Sequence, residues 1–90
     1  MKILICNEYG VKPQVRKLME ELDELKIECE NYLYGAKPGY DLYSELADVL
    51  NVCESVIHCL DCNDEVVNIR IAKLERQIKR IKWSKENENS

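Results

Sequence analysis

Val67, Ile71, Leu74, Ile78 and Ile81 stand four, three, four and three residues apart, the spacing that places all five on one stripe of an α-helix. A strand would scatter them over both of its faces, because it turns successive side chains to opposite sides. A helix with one apolar stripe must bury that stripe against another surface, so this segment commits the chain to helix packing. The same period appears twice upstream. From Pro13, whose fixed φ suits a first helical turn, to about Tyr34, it is carried by Val15, Leu18, Leu22, Leu25, Cys29 and Tyr32. From Asp41, an N-cap candidate, to about Leu60, it is carried by Leu46, Val49, Leu50, Cys53, Val56, Ile57 and Leu60, a stripe wide enough for burial on more than one side. The breaks between them are Tyr34–Gly39, with Gly35, Pro38 and Gly39, and the polar run Asp61–Asp64.

Three Gly and two Pro in 90 residues are too few for the turns of a sandwich or barrel. The expected fold class is all-α, a single domain over residues 1–90 with three main helices. A lone chain of this size buries only about 60% of its unfolded surface, and a homodimer or homotetramer makes up the deficit. Residues 86–90 lack an apolar anchor and are expected to be disordered. Residues 1–8 are ambiguous, since Ile3–Cys6 fits a short strand or a helical turn equally.

The net charge of −4 is unevenly spread. Residues 1–69 hold 6 basic and 14 acidic side chains, and residues 70–90 hold 7 basic and 3 acidic. An acidic body argues against a nucleic-acid polymer as partner and favours metal cations. No run approaches the roughly 20 apolar residues of a membrane span. The start of the chain is also too short in apolar residues for a signal peptide. Five cysteines are an odd number, so reduced thiols are expected. Together these point to a cytoplasmic protein with no membrane partner. Cys59-x-x-Cys62 has a zinc-like spacing, yet Cys53 and Cys59 face differently on their helix and no second such pair exists, so packing explains these thiols better.

Two acid pairs carry the chemistry. Glu21 with Glu24 and Glu45 with Asp48 are each three apart, which puts each pair on one helix face. At about 100° per residue, Glu21 lies roughly 80° and Glu45 roughly 70° from the centre of its own apolar stripe. An antiparallel hairpin brings the four carboxylates to one edge of the helix interface, where they repel unless a hard cation joins them. Mg²⁺ suits carboxylates plus water best. Charged residues at helical spacing are more often a solvated face, and Glu20, Asp23, Glu28 and Glu30 on the same helix show how easily such spacings arise.

Glu20-Glu21-x-x-Glu24 followed by Glu45-x-x-Asp48 resembles the EExxE and ExxD motifs of MazG-like nucleotide pyrophosphohydrolases, members of the all-alpha NTP pyrophosphatases. The flanking EYGVKPQ (8–14) and AKLERQIKRI (72–81) look like the entry to the family's first motif helix and its basic closing helix. The resemblance covers about residues 9–82 and is to the short single-domain members found in phages and Gram-positive bacteria. It implies an all-α domain whose three main helices complete a helical bundle by dimerising, and Mg²⁺-dependent cleavage of a nucleoside triphosphate to a monophosphate and pyrophosphate, with Mn²⁺ as a substitute metal. Glu21, Glu24, Glu45 and Asp48 would be the metal ligands, and Glu20 a further ligand or water-orienting base beside Glu21. Arg76 and Lys79, then Lys73, are the basic candidates for the triphosphate. Tyr32 is a candidate for base stacking and Gln14 for the sugar or base. The competing reading is a non-catalytic helical dimer serving as an interaction or regulatory module.

Overall fold

The computed structural model describes residues 10–88. Among them are three helices and no strand: α1 (Val11–Leu33), α2 (Tyr40–Cys59) and α3 (Asn63–Glu88). The all-α expectation holds. No helix is long and apolar enough to cross a membrane among the described residues. Residues 1–8 fall outside the described part of the chain.

The helix ends explain the boundaries. Gly10, at φ 77, turns the chain into α1, a backbone conformation that favours glycine. Pro13 is then the third helical residue, still within the turn whose N–H groups lack helical partners. Asp41 does not cap α2. Gly39 holds that position with extended backbone, and Asp41 lies in the first turn, where its charge meets the positive end of the helix dipole. Both helices of the pair close alike. The Ala36 and Gly35 N–H groups donate to the Asn31 and Tyr32 carbonyls at 3.0 and 3.1 Å, and those of Cys62 and Asp61 to Ile57 and His58 at 3.2 and 3.1 Å. These are Schellman closures, with Gly35 (φ 109) and Asp61 (φ 50) as the left-handed residues. α3 continues three residues past Lys85, correcting the expected loss of order from residue 86. Near its end the Asn87 side-chain amide donates to the Trp83 carbonyl at 2.8 Å.

α1 and α2 pack side by side along their lengths, and the six-residue link at 34–39 makes them an antiparallel hairpin. α3 meets α2 only slightly and does not contact α1 among the described residues. The result is elongated, 58 × 36 × 18 Å, with a radius of gyration of 17.4 Å, against about 12 Å for a compact chain of this length. Among the described residues no apolar side chain is buried; the buried residues are Gln14, Glu21 and Ser55. One helix–helix contact covers each helix from one direction only. Cys29, Cys53 and Cys62 are free thiols. Cys59, the last residue of α2, is disulfide-bonded, so the expectation of reduced thiols fails for it and gives no support to a cytoplasmic location.

Candidate metal centre

Glu21 is buried because α1 presents a rotated face to its partner. The stripe was expected to meet α2 through its centre, yet Leu22 near that centre is 47% exposed and Val15 at its far edge 38%, whereas Glu21 is only 5% exposed. The stripe is wider than one neighbouring helix covers, and α2 lies toward its acidic edge. Glu45 reaches the same interface from α2. Glu21, Glu24 and Glu45 each place a carboxylate oxygen within 4.8 Å of the others. Asp48, one turn beyond Glu45, lies outside this trio, though its charge acts on Glu45.

The trio is short of hydrogen-bond partners. Oε1 of Glu21 accepts an ion pair from the Lys17 Nζ at 2.9 Å, while its Oε2, and Oε2 of Glu45, are buried with no partner. Buried carboxylate oxygens ordinarily have one. Burial pushes the Glu45 carboxyl above its ordinary range, helped by the charge and hydrogen bond of Glu24 and then by Asp48 and Glu21. Lys17 is raised by its hydrogen bond and charge pairing with Glu21. The orphaned oxygens and mutual repulsion fit a hard divalent cation taking oxygen ligands. Glu21, Glu24 and Glu45 are the residues to hold it, with Asp48 next along α2.

The other candidates are dispersed. Glu20 is 67% exposed and lies 3.7 Å from Lys17, on the outer side of that lysine. Gln14 is buried on the same face of α1, two turns before Glu21. Tyr32 shares with Tyr34, Tyr40 and Glu28 an open recess of about 470 Å³ at the hairpin's loop end, some two turns from the acids. Lys73 and Arg76 line one exposed groove on α3, and Lys79 a neighbouring one. At about 100° per residue all three lie 120° or more from the centre of the α3 stripe, and this chain does not bring them to the acids. Lys17 is the residue that the sequence reading passed over, although its position four residues before Glu21 signals an ion pair.

The fold and site together define an all-α helical hairpin with a carboxylate cluster in its seam. Compared with family models, curated proteins and solved structures, the chain matches none.

Proposed function

We propose that the protein is a Mg²⁺-dependent nucleoside triphosphate pyrophosphohydrolase, releasing a nucleoside monophosphate and pyrophosphate. The observation that carries the metal part is the pair of buried, unpartnered oxygens on Glu21 and Glu45 beside Glu24. The resemblance of the acid motifs carries the substrate class. A bound Mg²⁺ supplies charge neutralisation at phosphate oxygens and a more acidic water. The chain's own residues do the rest. Glu21, Glu24 and Glu45, with Asp48 beside them, would hold the cation, and Lys17, paired with Glu21, balances the acids and would be the cation offered to a phosphate. Glu20, at the outer side of Lys17, is placed to orient water or hold that lysine. Gln14 and Tyr32 stand at opposite ends of α1, about 27 Å apart at 1.5 Å per residue, so one nucleoside meets at most one of them.

Nucleoside triphosphates incubated with protein and Mg²⁺ test this directly. Monophosphate plus pyrophosphate is the expected product pair, lost in Glu45→Gln. Diphosphate plus phosphate, or activity undiminished in Glu45→Gln, overturns the reading. The second reading, a non-catalytic interaction module, is favoured by the uncovered apolar side chains of α3 and predicts Mg²⁺ binding without turnover, or neither.

A further inference from the structure

The α3 cations that lie away from the acids form a face of their own. Counted at about 100° per residue, Lys73, Arg76, Lys79 and Arg80 lie about 120–180° from the centre of the apolar stripe, and Trp83 lies among them at about 160°. All five are exposed, Trp83 at 66%. Arg80 borders both open grooves of this face, one with Lys73, Arg76 and Gln77, the other with Lys79 and Trp83, so the surface runs unbroken over about 15 Å of helix. None of the four cations is ion-paired among the described residues. Glu75, the one acid from residue 70 to residue 85, lies about 100° round the helix from Arg76.

The net charge of the whole chain argues against a polyanionic partner only if all its charges share one body. They do not. α3 meets α2 only slightly and does not contact α1 among the described residues, and Lys73 to Trp83 stand about 15–30 Å along α3 from its first residue. At physiological salt exposed charges are screened over about 8 Å. The field at this face is therefore set by its own surroundings, 7 basic side chains against 1 acidic from residue 70 to residue 85.

Two features together choose the partner. Arg76 and Arg80 offer guanidinium forks to phosphate oxygens, and the exposed Trp83 indole beside them offers a stacking surface to a flat base. A duplex keeps its bases stacked on one another, whereas an unpaired strand frees them for such a ring. A bilayer would instead take the apolar stripe and leave Arg76 on the far side of a helix about 10 Å across, away from the headgroups. We infer that Lys73, Arg76, Lys79 and Arg80 with Trp83 are a docking face for single-stranded nucleic acid, the cations along its phosphates and the indole against a base. This face is remote from the carboxylate cluster and opposite the apolar stripe, so it stays open whatever covers that stripe.

The test uses the full chain in EDTA, which keeps divalent metal from the carboxylates. A fluorescein-labelled oligothymidylate of about 16 nucleotides is followed by anisotropy between about 50 and 200 mM salt. Trp83 is the one tryptophan of the chain, so its emission with unlabelled strand reports stacking. Binding is expected with quenched emission and a slope of about −3 in log affinity against log salt, from four phosphates at about 0.7 each. Arg76→Gln with Arg80→Gln should lower affinity about tenfold and flatten the slope by about 1.4, whereas Trp83→Leu should lower affinity about tenfold with the slope unchanged. Arg70→Gln with Lys82→Gln removes the same charge beside the apolar stripe and should change neither slope nor quenching. Circular dichroism identifies a variant that has lost helix, and Arg76→Lys with Arg80→Lys, which keeps the charge, should keep the slope. No binding at about 50 mM salt, equal losses from the two glutamine pairs, or unchanged Trp83 emission would overturn the proposal. So would a duplex bound as tightly as the single strand, or retention on phosphatidylglycerol vesicles without oligonucleotide binding, which would make the occupant a lipid surface. No arm involves hydrolysis or bound Mg²⁺, so failure here is distinct from failure of the pyrophosphohydrolase reading.

Discussion

Glu45 carries the strain of the cluster at the scale of a single residue. Its carboxyl is held above the ordinary range, chiefly by burial and then by Glu24, so the folded chain binds that proton more tightly than the unfolded chain does. The associated stability is complete below the ordinary glutamate range and is lost as pH rises through the folded value. Glu21, Glu24 and Asp48 press in the same direction. Lys17, also raised, loses its contribution only in the alkaline range. Metal-free Glu45→Gln is therefore expected to melt above the parent chain at pH 7, and the gap should close toward pH 4. A gap that widens on acidification would contradict this account. Lys17 acts oppositely. Lys17→Met removes the 2.9 Å partner of a nearly buried carboxylate and is expected to lower the metal-free melting temperature, with Mg²⁺ restoring more stability to this variant than to the parent chain. Equal Mg²⁺-induced shifts in the two proteins would place the cation elsewhere.

Two similar helix closures offer a matched pair of tests at the scale of the element. Gly35 lies at φ 109 with open space around its α-carbon, so Gly35→Ala adds no clash and reports backbone strain alone. A loss of about 1 kcal/mol is expected by thermal or urea unfolding. Asp61, at φ 50, holds the equivalent place after α2, and Asp61→Gly should change stability in the opposite direction by a smaller amount. Equal effects of the same sign would show that the two closures do not share a cause.

The helices themselves were legible in the sequence because apolar spacing survives whichever neighbour covers it. Which part of each stripe meets which helix was not legible, since Val15 and Glu21 compete for the same interface and three-dimensional packing decides between them. Thus the four carboxylates read as convergent meet as a trio of Glu21, Glu24 and Glu45 without Asp48, while Asp41 was misplaced as a cap because Gly39 reaches that position first. Lys73, Arg76 and Lys79 carried a charge signal with no directional content. Their remoteness from the acids follows from α3 leaving the hairpin, and no residue spacing encodes that.

The whole molecule poses a thermodynamic problem: with no fully buried apolar side chain among its described residues, the chain gains only part of the main favourable contribution to folding. Apolar stripes on all three helices remain half exposed, a surface that a second copy would cover. For a chain that folds on dimerising, folding and association are one equilibrium, and stability depends on protein concentration. A hundredfold increase in concentration shifts such an equilibrium by about 2.7 kcal/mol. For a folding unit of two chains this corresponds to a melting temperature higher by roughly 5–10 °C. Circular dichroism melts at 1 and 100 μM measure it. Replacing Leu74 and Ile78 by Ser should lower the midpoint and shrink the concentration dependence together, since both follow from the same buried stripe. A midpoint independent of concentration in the parent chain would mean that the helices find their cover within a single copy.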